Sequence, residues 1–299
     1  MDRNAGVTGY CGQGAVLRAA CACLHFGEEP PLTGAGGSGT VFFTGCTLQC
    51  DFCQNWQVSS CGEGADLTAE ELAHIFLRLQ REGAENINIV TGTHFVPGIL
   101  DSLARARAGG LAIPMVWNSS GYDIPETVSL LARHVSFFLP DLKTLDPVLA
   151  RDRFRAADYP GRAMSAISAM AAARPLQRKG ESAVQGVIVR HLVLPGHLEE
   201  TRQVLTWFAQ NLSGRALLSL MFQYTPIPER PLAAPFDRMT SAVEFEAALA
   251  MLEELGIEDG FFQEPVPDSG WLPDFAKARP FSSGLSRMVW HFRDGPPGA

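Results

Sequence analysis

The chain has 299 residues, 46% of them hydrophobic and 19% charged, a globular balance that excludes a disordered protein. Its formal net charge of −8 speaks against nucleic acid as a partner, because duplex binding needs excess Lys and Arg to neutralise phosphates. No apolar run approaches the ~18 residues of a membrane span, and Met1-Asp2-Arg3-Asn4 does not open a secretory signal, so no membrane partner and a cytoplasmic location are expected.

Residues 1–39 are glycine-rich, end in Thr33-Gly34-Ala35-Gly36-Gly37-Ser38-Gly39, and read as an irregular lead-in with no room for a regular element. Beyond it, β-branched and aromatic runs predict strands at 40–44, 86–90, 114–118, 135–139, 187–194 and 217–222. Between them, apolar residues at three- and four-residue spacing, as in Leu72, Ile75, Phe76 and Leu79, predict helices at 68–82, 96–108, 125–133, 162–173 and 199–211. A further helix at 241–255 precedes an apolar stretch at 260–263. This alternation implies parallel strands joined by crossover helices. Six or seven such units fit a partial or complete barrel better than an open sheet, and functional residues belong at the carboxyl ends of the strands in either case. The expected layout is a lead-in (1–39), a core (40–263) and a wrapping carboxy-terminal extension (264–299). Arg151, Arg153, Arg155, Arg162, Arg174, Arg178 and Lys179 read as a solvated helix face.

Seven cysteines in a long chain, three of them crowded at Cys46, Cys50 and Cys53, point to reduced thiols that bind metal or take part in catalysis. Structural zinc wants four ligands in pairs, and a ferredoxin-type cubane also takes four cysteines at a different spacing. Three cysteines on a cubane leave one iron open to a substrate or cofactor. Cys61 lies eight residues beyond Cys53 in a polar loop and is expected to be dispensable. Alternate small residues around Cys21 and Cys23 suggest a strand with both thiols on one face in a packing role.

The Cys-x-x-x-Cys-x-x-Cys run, with Phe52 before its last cysteine, resembles the signature of the radical S-adenosylmethionine (SAM) superfamily. Gly39-Thr40-Val41-Phe42-Phe43-Thr44-Gly45-Cys46 and Cys53-Gln54-Asn55-Trp56 are similar to the branch of pyruvate formate-lyase activating enzymes, in particular to its poorly characterised paralogues. Further similar segments are Leu24-His25-Phe26-Gly27-Glu28-Glu29-Pro30, Asn118-Ser119-Ser120-Gly121-Tyr122, Leu139-Pro140-Asp141-Leu142-Lys143 and Val189-Arg190-His191-Leu192-Val193-Leu194-Pro195-Gly196. The resemblance implies a partial (β/α)6 TIM-like radical SAM barrel and a [4Fe–4S] cluster on Cys46, Cys50 and Cys53. It also implies reductive cleavage of SAM to a 5′-deoxyadenosyl radical that abstracts hydrogen, and a one-electron donor such as flavodoxin or ferredoxin. Relatives carry further cysteines ahead of the stretch around Cys11; without these, Cys11, Cys21 and Cys23 are expected not to complete a second metal site.

In the pocket so implied, Phe52 packs on adenine. Thr91 and Thr93 stand where related enzymes often place a Gly-Gly-Glu stretch, whose carboxylate this chain lacks; a helix N-cap is the other reading of Thr93. Asn118 and Ser120 face the methionine or ribose part of SAM, or simply form a turn. Asp141 and Lys143 alternate across a strand end and so can share one side. Arg190, flanked by Val187-Ile188-Val189, needs a buried partner, either a SAM carboxylate or Asp141. His191 points the other way and reads as structural.

The expected function is that of a radical SAM enzyme resembling a glycyl-radical activator, with a protein as substrate. The alternatives are a radical SAM enzyme acting on a small molecule or on a non-glycyl protein site, and an iron–sulfur electron-transfer protein.

Overall fold

The first strand lies where the sequence reads as irregular. In the computed structural model, which describes residues 3–266 and 268–297, Leu17–His25 is a nine-residue strand (β1). Its sequence, LRAACACLH, is poor in β-branched residues and buried along nearly its whole length, so neither strand propensity nor alternation marks it. The short helix α1 (Pro30–Thr33) leads to β2 (Ser38–Phe43), which runs antiparallel to β1 with Ala22 opposite Val41. After α2 (Trp56–Ser59), the strand β3 (Ala65–Leu67) pairs with the start of β1.

Crossover units follow. Helix α3 (Ala69–Arg81) starts in a capping box: Thr68 Oγ1 accepts from the Glu71 amide at 3.2 Å and the Thr68 amide donates to Glu71 Oε2 at 2.7 Å. It buries Leu72, Ile75, Phe76 and Leu79, the stripe read from the sequence. Strand β4 (Ile87–Val90), helix α4 (Val96–Ala108) and strand β5 (Met115–Ser119) complete the series, with β2, β4 and β5 mutually parallel. These elements, together with the chain from Pro273 on, form one compact unit.

The other unit comprises Cys50–Gln54 and Ser120–Leu272. Helix α5 (Pro125–Leu131) precedes β6 (Val135–Pro140); then come α6 (Pro147–Phe154), α7 (Tyr159–Ala173), β7 (Gln177–Lys179) and β8 (Ser182–Leu192). Strand β8 begins five residues earlier than the apolar run predicts, because β7 folds back on it as an antiparallel hairpin. Helix α8 (Leu198–Leu212), β9 (Leu217–Met221), α9 (Ala242–Glu254) and β10 (Gly260–Gln263) follow. The order β6–β8–β9–β10 is parallel throughout.

In the first unit, β11 (Ser286–His291) pairs antiparallel with β1, Ala22 opposite Trp290, so the carboxy-terminal extension supplies a strand to the sheet. Phe275 is fully buried in a cluster with Cys21, Cys23, Phe42 and Val58. Both early thiols therefore pack in an apolar core, on one face, as their spacing suggests. Among the described residues no helix is long and apolar enough to cross a membrane.

Candidate active site

The site residues named from the sequence lie near or just beyond the carboxyl ends of parallel strands, where α/β proteins place their chemistry. In the first unit, β2 ends at Phe43 and the cysteine loop begins. Gly45 turns the chain at φ +86°; a side chain there would press on the Cys11 carbonyl oxygen and on Gln13. Its amide donates to Val58 O at 3.0 Å, and Gln49 Nε2 donates to Tyr10 O at 2.8 Å. Residues 10–13 thus brace the loop from outside. Cys46 is half-buried and its Sγ accepts from the Leu48 amide at 3.4 Å.

After β4, Thr91 adopts φ +59°, a left-handed conformation costing a β-branched residue about 1–2 kcal/mol. Its amide donates to Asn118 O at 2.9 Å, extending the β4–β5 ladder past the end of β4. At Gly92 a Cβ would crowd the side chains of Ile89, Ile99 and Trp117 and force them to shift. Thr93 opens a 3-10 turn whose N-cap is Gly92, which corrects its reading as a helix N-cap. Asn118 is buried at the end of β5.

In the second unit, Cys50 is buried and Cys53 half-buried, the Cys53 amide donating to Cys50 O at 3.3 Å. Phe52 lies among Phe154, Tyr224 and Phe236, with ring centroids 5.6 to 6.0 Å away. Among the described residues no three His, Cys, Asp or Glu side chains are gathered to hold a single metal ion. A four-iron cubane spreads its thiolates more widely than one ion does. Three thiols on a loop braced by glycine geometry and aromatic packing suit such a cluster in donor chemistry, one short of the four that would cover every iron.

Asp141, Lys143 and Arg190 do come together. Lys143 Nζ donates to Asp141 Oδ2 at 2.7 Å and Arg190 Nε to Asp141 Oδ1 at 2.9 Å, with all three side chains 15–21% exposed. Burial pushes the Asp141 carboxyl up, but Arg190 and Lys143 outweigh it and hold the group below its usual range. Burial likewise disfavours the Lys143 ammonium, and Asp141, with Cys50 adding to it, more than reverses this.

Sequence reading missed Tyr159, the first residue of α7. Its fully buried hydroxyl accepts from the Lys143 amide at 2.9 Å and lies 2.9 Å from Ser120 O and 2.8 Å from Asp141 O. One phenol therefore ties the segment after β5 to the segment after β6. Gly121, beside Ser120, has φ +74°, and a Cβ there would collide with the Asp141 carbonyl oxygen. Gly121→Ala should cost about 2 kcal/mol or more, read as a lower urea midpoint, because it adds left-handed strain to a backbone clash. A midpoint equal to wild type would remove this close approach from the site's construction.

His191 is structural, as its strand position suggests: Nδ1 is 2.8 Å from Leu142 O and Nε2 3.0 Å from Thr201 Oγ1. Burial lowers its pKa to about 4. His94, whose Nε2 is 2.8 Å from Thr44 O, is likewise held at about 4, chiefly by burial. A folded pKa below the unfolded one means stability is full above pH ~6.5 and is lost as pH falls toward 4, by up to about 3 kcal/mol per histidine. Urea unfolding from pH 7 to pH 4 should show this slope, and His191→Gln should flatten it.

Residues 40–208 match the family model of the radical SAM superfamily. The chain is 30% identical over 243 residues to the uncharacterized protein MJ0674 of Methanocaldococcus jannaschii, covering 79% of this chain and 67% of that protein. Streptococcus suis SuiB bound to S-adenosylmethionine matches at 13% identity and TM-score 0.50, over 73% of this chain and 48% of that one. Bound to its precursor peptide SuiA, SuiB matches at 14% identity and TM-score 0.53, over 73% and 46%. A radical SAM methyltransferase from Sphaerobacter thermophilus matches at 17% identity and TM-score 0.53, over 76% and 66%. The chain spans about half the length of SuiB and just under two thirds of the methyltransferase. Its mostly parallel, unclosed α/β sheets match the partial TIM-like fold these enzymes share. The chain belongs to the radical SAM superfamily, whose cofactors are a [4Fe–4S] cluster and S-adenosylmethionine.

Proposed function

We propose that Cys46, Cys50 and Cys53 hold the cluster, and that the enzyme abstracts a hydrogen atom from a site in another protein, as an activating enzyme does for a glycyl radical enzyme. Bound together, cluster and SAM supply reductive cleavage of the sulfonium and a 5′-deoxyadenosyl radical that takes the hydrogen atom. The chain's own residues bind and orient. The observation that carries the reading is the Asp141–Lys143–Arg190 network, two cations on one carboxylate at the strand ends. Its net positive charge, largely shielded from water, suits the carboxylate of the methionine part of SAM. The resemblance assigns Phe52 to adenine, and Thr91, Thr93, Asn118 and Ser120 to the rest of SAM. A protein target is supported by the resemblance to activating enzymes and by a fold that SuiB uses in complex with a precursor peptide.

The test is anaerobic incubation of the reconstituted, reduced protein with SAM and candidate partner proteins, using flavodoxin or ferredoxin as electron donor. The expected results are 5′-deoxyadenosine and a glycine-centred paramagnetic signal on a partner. Deoxyadenosine formed in step with turnover of a small metabolite, with no protein radical, assigns the small-molecule alternative. A cluster that cycles electrons without cleaving SAM assigns an electron carrier.

A further inference from the structure

Between Cys50 and Cys53 stand Asp51 and Phe52, and both are gripped from the end of one helix. Arg153 lies in the last turn of α6, about a hundred residues further along the chain. Its carbonyl oxygen accepts from the Asp51 amide at 3.2 Å, and its Nη1 donates to Asp51 Oδ2 at 2.9 Å. The same guanidinium lies over the Phe236 ring, 4.3 Å from its centroid. Phe236 in turn stacks on Phe52 at 6.0 Å and 11° between planes, while Phe154, the neighbour of Arg153, meets Phe52 edge-on at 5.8 Å. Asp51 Oδ1 is buried and has no hydrogen-bond partner, so the carboxylate is held on its Arg153 side.

An exposed ion pair would mean little. This one is 28% and 22% exposed, is backed by a main-chain hydrogen bond and carries an aromatic ring on one face of the guanidinium. It corrects the reading of residues 151–179 as a uniformly solvated face.

We propose that Arg153 is a positioning residue for the iron–sulfur cluster: through Asp51 it fixes the spacing and aim of the Cys50 and Cys53 thiols, and through Phe236 it sets the plane of the Phe52 ring. This rests on the assignment of the three cysteines to the cluster. Arg153 itself touches no reacting atom. Lysine preserves the charge but not the planar fork, so it restores the ion pair and loses the stacking.

The experiment compares reconstituted wild type, Arg153→Gln, Arg153→Lys, Asp51→Asn and the Arg153→Gln/Asp51→Asn pair. It reads iron and sulfide per chain, the rate at which a chelator strips iron from the reduced protein, and the paramagnetic spectrum of the reduced cluster with and without SAM. Arg153→Gln and Asp51→Asn are each expected to lose iron at least threefold faster and to shift the cluster spectrum. Arg153→Lys should fall between, and the pair should be no worse than the more affected single variant. Far-ultraviolet circular dichroism separates this from misfolding, and Asp51→Asn carries the test if Arg153→Gln does not fold. Folded variants with wild-type iron retention and spectrum would overturn the proposal while leaving the cysteine assignment intact. A wild type that takes up no cluster would overturn both.

Discussion

Replacing any one of Cys46, Cys50 or Cys53 with alanine is expected to leave the purified, reconstituted protein without its iron and sulfide, while Cys61→Ser retains the wild-type complement. A cubane is held by cysteine thiolates, and two of them cannot retain what three retain. Cys61 is exposed beyond α2, its amide donating to Trp56 O at 3.1 Å, in a different segment from the 46–53 loop. A fourth thiolate would also occupy the iron that SAM needs. Iron and sulfide assays on the four variants check this. Loss of the cluster in Cys61→Ser alone would contradict the open-iron assignment.

The second large effect is expected at Asp141. Asp141→Ala leaves Lys143 and Arg190, both largely buried, without the anion between them. Removing one partner of such a group costs about 3–5 kcal/mol, and at this chain length that is a Tm lower by roughly 5–8 °C. SAM cleavage should fall at least about tenfold, because the cations then lose the partner that orients them. Asp141→Ala/Arg190→Met, which removes one cation together with the anion, should recover part of the stability and little of the activity. The pH dependence separates this network from the histidines. The Asp141 carboxyl is held below its ordinary value, so its stabilisation is present above pH ~4 and is lost as pH falls further, through the folded pKa. The His94 and His191 limb lies above that, between pH ~6.5 and 4. Asp141→Asn should therefore flatten only the lower part of the acid curve in urea titrations. An unchanged lower limb would remove Asp141 as a charged member of the site.

Elements with strong local signals were readable in the sequence. The periodicity predicts helix 96–108 with the bounds it has, and helix 68–82 to within one residue of α3 at each end. Helix α6 was missed although Asp146, whose Oδ1 accepts from the Val148 amide at 2.7 Å, and Pro147 mark its start. Its eight residues show no apolar stripe for periodicity to catch. The irregular reading of 1–39 failed at β1 because a strand covered on both faces need not alternate. At the site, the strand-end rule found Asp141 and Lys143, and the cost of a buried cation called for a partner to Arg190, with Asp141, the partner it has, as one of two candidates. Tyr159 and Arg153 were not legible as site residues, since each acts through contacts with distant segments. The left-handed backbone of Thr91 has no local sequence signal at all.

The pairing of β1 with β11 constrains how the protein is made. Strand β1 emerges from the ribosome early, and its partner β11 follows only after the whole second unit has been synthesised. Until then one flank of β1 is an unsatisfied row of amides and carbonyls in an apolar segment, the kind of surface that recruits other chains. The last strand of the first unit is therefore made after the whole of the second, although that unit begins first. Lengthening a connection that is already long adds only about 0.6 kcal/mol per doubling, so the length of the intervening segment weighs more on the order of folding than on the stability of the finished protein.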